Sequence, residues 1–489
     1  VSAIANYLAD EVRMDYGIII SFQDIISKPL EIQMNRILLI CNDVVGENMA
    51  GPGIRYWEFA HILGQRFPTT LAVPPFVSMN VVPSTEALPA SLCVCNNAQE
   101  LRKLVQENDV LITLGVVLLF YPFMTDLDKP LVLDMYDPFL LENLQRQGHA
   151  DLLKQLTSYE NYLEALRIQL RKGDFFLCAA EKQRDYWLGM LAAMGRINPY
   201  TYRQDPTLRH LIDVVPFGLQ NKPPQHTRSV LKGVYKNIDV DDKVILWGGG
   251  VWDWLDAPTL IRAMPLILKQ RDDVKIFFMG VKRSNQDTAT KAVDEAVTLS
   301  KELGLCDKYI FFNDWVPYNE RQNYLLEADI GVSLHLDHIE ARFAFRTRML
   351  DYLWAGLPVV CTRGDVMGET LAAEDLAHLV PPGGFEEVAR VVIDLIEIPN
   401  LRSIYRNRSR DLVAAYRWDV LMRPLLDFCS SPSLAPDKGF LHTSHFFDRT
   451  IQSRSLRHFL VKAERALRLG GVSEILKQAS EYIRWKMEI

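Results

Sequence analysis

From Asn35 onward, short apolar runs alternate with longer amphipathic stretches, the pattern of βαβ units feeding a parallel sheet. The runs ILLIC, TTLAV, DVLITL, PLVLDMY and FFLCAA predict the strands of one sheet. A second series, VILWGG, VKIFFMG, YIFFND, IGVSLHL, LPVVCT and AHLVPP, predicts another. Between them, after VVPFGL, the segment QNKPPQHTRSVLKGVYKNIDVDD loses periodicity and reads as an interdomain linker. Two doubly wound α/β halves place their main cleft at the carboxyl ends of both sheets. The predicted organisation is an N-terminal extension over 1–34, a first domain over 35–220 and a second over 221–400. Helices over 401–430 cross back to the first domain, and a helical extension occupies 431–489. In that extension, Leu456, Phe459, Leu460, Ala463 and Leu467 recur at helical spacing, with Arg454, Arg457, Lys462, Arg465 and Arg468 between them. This helix either packs on its own domain or, through 453–489, lies peripherally on an anionic membrane.

Composition narrows the class. The chain has 489 residues, whereas single cores stop growing near roughly 250–300 residues, so two domains are expected. With 48% apolar and 24% charged residues it has the balance of a globular enzyme. A net charge of −7 argues against a general nucleic-acid binder. Seven cysteines, odd in number and mostly inside apolar runs, read as reduced core thiols of a cytosolic protein. Cys93 and Cys95 would share a strand face, but no second pair completes a zinc site. No stretch approaches the roughly 20 apolar residues that span a bilayer. The chain opens on Val1 rather than Met, as a trimmed or partial chain would.

Candidate chemistry gathers where strands hand over to helices. After the first strand, Gly51 and Gly53 flank a proline, and Arg55 follows in the first helical turn. The turn either admits a ligand to the backbone and the helix N-terminus or simply reverses the chain. The fourth run ends with Asp134 and Asp137, placed to orient an acceptor hydroxyl or accept its proton, unless Asp137 only caps the turn before Pro138. In the second half, Gly248, Gly249 and Gly250 strip side chains from a strand-to-helix turn, so that a pyrophosphate reaches N–H groups and a helix dipole, or serve as a plain turn. The spacing is not that of a dinucleotide fingerprint. Gly280 ends a strand, and Lys282 and Arg283 beyond it offer cations to the same phosphates or to solvent. The densest constellation is LHLDHIEARFAFRTRMLDYLWAGLPVVCT. Arg346 and Arg348, on a helix beginning near Phe345, suit a diphosphate, and Asp351 one turn on suits ribose hydroxyls. His335, His338 and Glu340 offer metal ligands in type, but nothing supplies their outer partners.

These pieces, GPGIR, VPFGL, GGG, DWVP and LDYLWAGLPVV in that order over about 35–430, resemble family 4 of the retaining GT-B glycosyltransferases. DMYDP, EKQRDYWLGML and GGGVWDWLD look like a bacterial branch acting mostly on surface polysaccharides. The resemblance implies two Rossmann-like domains facing across a cleft, acceptor-binding in the first and donor-binding in the second. It implies a metal-independent, cytoplasmic retaining transferase that moves a sugar from a nucleotide diphosphate to a glycan or lipid-linked acceptor. Asp351 occupies the position of the family's ribose-binding carboxylate. Eight residues earlier, where the family has a Glu that touches the donor sugar, stands Phe343, and Glu340 is the candidate substitute. Val251, Trp252 and Asp253 replace the family's diphosphate-gripping Arg and Lys, moving that task to Lys282, Arg346 and Arg348. Trp315 and Val316 match the segment along the nucleobase. Retention in the family is explained by front-face attack in which the donor phosphate takes the acceptor proton, and a role for Asp137 as base stays open. An epimerase, a phosphorylase and an inactive scaffold share the fold and remain alternatives.

Overall fold

A computed structural model describes residues 34–78, 88–146, 148, 150–282 and 291–443. The N-terminal extension, Arg283 and the basic amphipathic segment 453–489 lie outside the described residues.

The strands are short and almost wholly apolar because both faces of each sheet are covered. In β1 (Ile37–Ile40), Ile37 and Leu39 face one core and Leu38 and Ile40 the other, and all four are fully buried. The first sheet is completed by β2 (Thr69–Val73), β3 (Ser91–Val94), β4 (Val110–Leu114), β5 (Leu131–Asp134), β6 (Phe175–Cys178) and β7 (Ile212–Val214). It runs in the order β3-β2-β1-β4-β5-β6-β7, every pairing parallel. The second sheet comprises β8 (Lys243–Trp247), β9 (Val274–Lys282), β10 (Ile310–Asp314), β11 (Ile330–Ser333), β12 (Val359–Thr362) and β13 (Ala377–Val380). Its order is β10-β9-β8-β11-β12-β13, again all parallel. Each sheet reverses its winding beside its first strand, which opens a crevice beyond the carboxyl ends. All eleven strand-like runs become strands. The two short edge strands β3 and β7 complete the first sheet, and β7 has only three residues in which to show a period.

The helices used below are α1 (Gly51–Gly64), α2 (Phe139–Arg146), α3 (Glu181–Ala193), α4 (Arg321–Glu327), α5 (Ile339–Phe343), α6 (Arg348–Ala355), α7 (Leu401–Arg408) and α8 (Trp418–Leu421). The Pro- and Lys-rich segment 220–242 has no helix or strand. It is pinned to α4, where the Glu327 carboxylate accepts the N–H groups of Val230, Leu231 and Lys232. Helix α7 stays on the second half, with Tyr405 against His378. The chain returns at Leu219 and Arg417, where Leu219 N–H donates to Tyr416 O at 2.7 Å and Trp418 N–H to Leu219 O at 3.1 Å. Trp418 of α8 then buries its ring between Phe59 and Phe217. None of the seven cysteines is in a disulfide. Among the described residues no helix is long and apolar enough to cross a membrane.

Candidate active site

A cavity of about 890 Å³ lies between the two halves, lined from both. From the first half come Asp43, Met49 to Pro52, Tyr136, Asp137, Glu142 and Arg146. From the second come Gly248 to Gly250, Trp252, Trp254, Gly280, Trp315, Val316, Arg321, Arg346, Arg348 and Asp351.

On the first side, Gly51 lines the cavity at the start of α1, and Gly53 does not. A Cβ at Gly53 would stand 2.1 Å from Val44 O, so this glycine lets α1 pack on the preceding loop. Arg55, expected at a phosphate loop, is a structural pin. It is fully buried and grips Asp134 through Nε at 2.6 Å and Nη2 at 2.9 Å. Nη2 also donates to Val215 O at 2.9 Å, and Nη1 donates to Pro216 O at 3.0 Å. A guanidinium with no aqueous access has to satisfy its donors inside the protein, and this one ties α1 to β5 and to the loop after β7. Asp134 is thereby removed from the acceptor chemistry considered for it. Asp137 does reach the cavity, half-buried. Burial raises its carboxyl to about 7, against a hydrogen bond from Tyr136 and with repulsion from Asp134. One turn into α2, Glu142 lines the same cavity and is likewise pushed up by burial and then by Asp137 and Glu340, while Arg346 and Arg146 oppose the shift.

On the second side, β8 delivers the glycine turn. Gly249 adopts φ +86°, a left-handed conformation that disfavours other residues. Gly248 N–H donates to Tyr352 Oη at 2.7 Å, so the turn is braced by α6 from behind. Helix α6 begins at Arg348, later than expected, and Arg346 sits in the loop before it. That loop is drawn toward α5 by a bidentate ion pair: Arg346 Nη1 and Nη2 donate to Glu340 at 2.9 and 2.6 Å. Glu340, the candidate substitute for the missing carboxylate, is fully buried and does not line the cavity. Both its oxygens are engaged by Arg346, which makes it a positioning residue. Arg346 Nε, by contrast, has no hydrogen-bond partner among the described residues, and neither has Arg348 Nη1. Arg348 donates its other terminal nitrogen to Gly250 O at 2.8 Å and stacks on Trp247 at 4.9 Å. Burial pulls Arg348 down to about 10, so it stays charged at neutral pH.

Asp351 stands on the cavity wall and shares one oxygen with Arg321 Nε at 3.1 Å. Gly280 lies under Trp315, where a Cβ would meet the indole at 3.2 Å, and both line the cavity with Val316. Lys282 ends β9. His335 and His338 are tied to protein groups: His335 Nδ1 lies 2.9 Å from Leu336 O and His338 Nε2 lies 3.1 Å from Trp254 O. Among the described residues no group of three or more His, Cys, Asp or Glu is arranged to hold a metal ion.

The two walls are held face to face. Tyr318 Oη donates to Glu58 at 3.0 Å, Trp315 Nε1 to Met49 O at 3.3 Å, and Gln183 Nε2 of α3 to both Tyr136 O and Phe343 O at 2.7 and 2.8 Å. Phe343, which breaks the family's carboxylate pair, packs its ring on Tyr186 of the first half at 4.7 Å. Sequence reasoning missed Arg321, Glu142 and Tyr318. Glu142 had a usable signal, an acidic residue in the first turn of a helix that follows a cleft-facing strand end. Arg321 had none, since its partner Asp351 lies thirty residues away.

Two parallel Rossmann-like sheets with a cavity between their carboxyl ends define the GT-B fold. Within it, residues 242–397 match the family described as glycosyl transferases group 1. A curated relative, the phosphatidyl-myo-inositol mannosyltransferase of Mycolicibacterium smegmatis, is 24% identical over 167 residues, 34% of this chain and 39% of that protein. The chain thus spans well under half of that relative's length. Among solved structures, a sucrose-phosphate synthase from Thermosynechococcus elongatus aligns with TM-score 0.56 and 13% identity over 81% of this chain and 98% of its own. HepE from Anabaena, in complex with UDP-glucose, aligns with TM-score 0.54 and 14% identity over 81% of this chain and 100% of its own.

Proposed function

We propose that this protein is a retaining glycosyltransferase that moves a sugar from a nucleoside diphosphate to a glycan or lipid-linked acceptor. The observation that carries the reading is the pair Arg346 and Arg348. Each is held through another nitrogen, each keeps one buried nitrogen without a hydrogen-bond partner among the described residues, and both stand on the cavity wall with Gly249 and Gly250. An anion with several oxygens is the ligand such groups take. Breaking the sugar–phosphate bond puts negative charge on the leaving diphosphate, and fixed cations and N–H groups there stabilise the transition state without reorganising. Asp351, steadied by Arg321, is offered to the ribose hydroxyls. Trp315 and Val316 line the base, and Asp137 faces the acceptor hydroxyl or the transferred sugar. The family match over 242–397 supports the donor side of this assignment. The solved complex with UDP-glucose supports a nucleotide sugar as its ligand.

No metal enters this mechanism, because Arg346 and Arg348 supply the positive charge. Closure of the two halves over a bound donor would exclude water and favour transfer over hydrolysis. The acceptor class we favour is a surface polysaccharide precursor at the inner face of a membrane. Calorimetry with UDP-, GDP- and ADP-hexoses tests the site, and at least one is expected to bind. Mass spectrometry and anomeric NMR of the product then test the reaction. No binding overturns the donor site, conversion without an acceptor points to an epimerase or phosphorylase, and an inverted product removes retention.

A further inference from the structure

The cavity wall carries two indoles that the donor assignment does not use. Trp252 and Trp254 follow the glycine turn and both line the cavity. Their rings lie 11° from parallel with centroids 5.7 Å apart. Trp252 is seated over Gly250, where a Cβ would come within 2.7 Å of the indole, so this glycine makes room for a ring. Trp254 is steadied through its carbonyl oxygen by His338, and Asp253 between them accepts Ala292 N–H at 3.1 Å. Both indoles are half-buried, packed against the core on one side and lining the cavity on the other. The cavity they share also presents Asp43, Asp137, Glu142 and Arg346. Rigid apolar faces in a charged cavity suit a ligand with one apolar face and a polar rim. A pyranose has that shape: C–H groups on one face meet the electron-rich indole, and hydroxyls around the ring reach the charges. An alkyl chain would take those polar groups out of water and return no hydrogen bonds.

We propose that Trp252 and Trp254 form a stacking subsite for the apolar face of a pyranose ring beside the diphosphate site. The subsite rests on the transferase reading, and the ring comes from one of two sources, the transferred sugar of the donor or the terminal sugar of the acceptor. The test uses the full chain with Trp252→Ala and Trp254→Ala, each beside its Phe counterpart, and melting curves as a control for folding. Where an Ala variant melts early, Trp→Leu keeps the bulk and removes the aromatic face. One arm measures UDP-glucose against UDP by calorimetry. The other measures saturation-transfer NMR of methyl glucosides, galactosides and mannosides in the presence of UDP. The Ala variants are expected to lose at least about fivefold in one arm, with Phe keeping most of the binding. A fall in the UDP-glucose to UDP affinity ratio assigns the ring to the donor. Loss of glycoside binding at constant ratio assigns it to the acceptor. Ala or Leu variants unchanged in both arms, or Phe no better than Ala, overturn the subsite. If the wild type binds glycosides but no nucleotide, the transferase reading fails while the glycoside arm still decides the subsite. Binding of neither overturns both.

Discussion

Arg55 in the first half and Arg346 in the second are each buried and locked to a carboxylate by two hydrogen bonds, and the two pairs do opposite things. In the first half, Arg55 meets Asp134, and Val215 O and Pro216 O take its other donors. In the second, Arg346 meets Glu340 end-on through its two terminal nitrogens, so its Nε is left over in a residue that lines the cavity. Burial alone does not separate them, since both cations are nearly inaccessible. What separates them is whether every guanidinium nitrogen is engaged. A closed inventory makes a structural clamp, and an incomplete one beside a cavity makes a binding group.

The largest expected effect is on the closed pair. Arg55→Met leaves Asp134 buried without its partner and should cost about 3–5 kcal/mol of stability, read as a shifted urea midpoint. Nucleotide affinity of the folded fraction should hold. A variant that unfolds like the wild type would erase the contrast. For the open pair, Arg346→Ala should lower turnover by about 10²–10³ while changing affinity for the free diphosphate less. Adding Glu340→Gln removes the stranded carboxylate, so it should restore melting temperature and leave turnover low. Recovery of turnover in the double variant would show that Arg346 acts only through the fold.

Asp351→Ala should weaken nucleotide binding by about 10–100-fold, as expected for lost hydrogen bonds to a charged group. Calorimetry measures it, and unchanged affinity would move the ribose site elsewhere. The smallest effect is a pH drift at Asp137. Its carboxyl holds a proton up to about 7 in the folded protein, against 3.8 ordinarily. Across that window the folded state binds more protons, so stability falls as pH rises, and below it the contribution levels off. Asp137→Asn lacks this loss and should gain on the wild type between pH 5 and pH 8 in melting curves. Parallel curves at the two pH values would remove the raised carboxyl from the account.

Much of the site was legible before any coordinates. Gly249, Gly250, Gly280, Trp315, Val316, Arg346, Arg348, Asp351 and Asp137 were singled out, and all line one cavity. Gly249, Gly250, Gly280, Trp315, Val316 and Asp137 sit just beyond an apolar run, which in a wound parallel sheet faces the crevice, while Arg346, Arg348 and Asp351 were read from charges gathered around the start of one helix. Arg55 and Glu340 satisfied the same rule by sequence and fail it in space. Whether a charge beside a strand end meets a ligand or another side chain depends on residues far along the chain. Asp134 is seventy-nine residues from Arg55.

The sequence by itself determined the two parallel sheets, their linker, the glycine turn and the band of chain in which the chemistry falls. Those follow from local periodicity and backbone freedom, which neighbouring residues set. Tertiary structure alone decided which arginine is sealed, which carboxylate is hidden behind another group, and that Arg321 supports Asp351. Charged side chains are long, and the partner that satisfies each is chosen by packing across the fold rather than by the residues beside it.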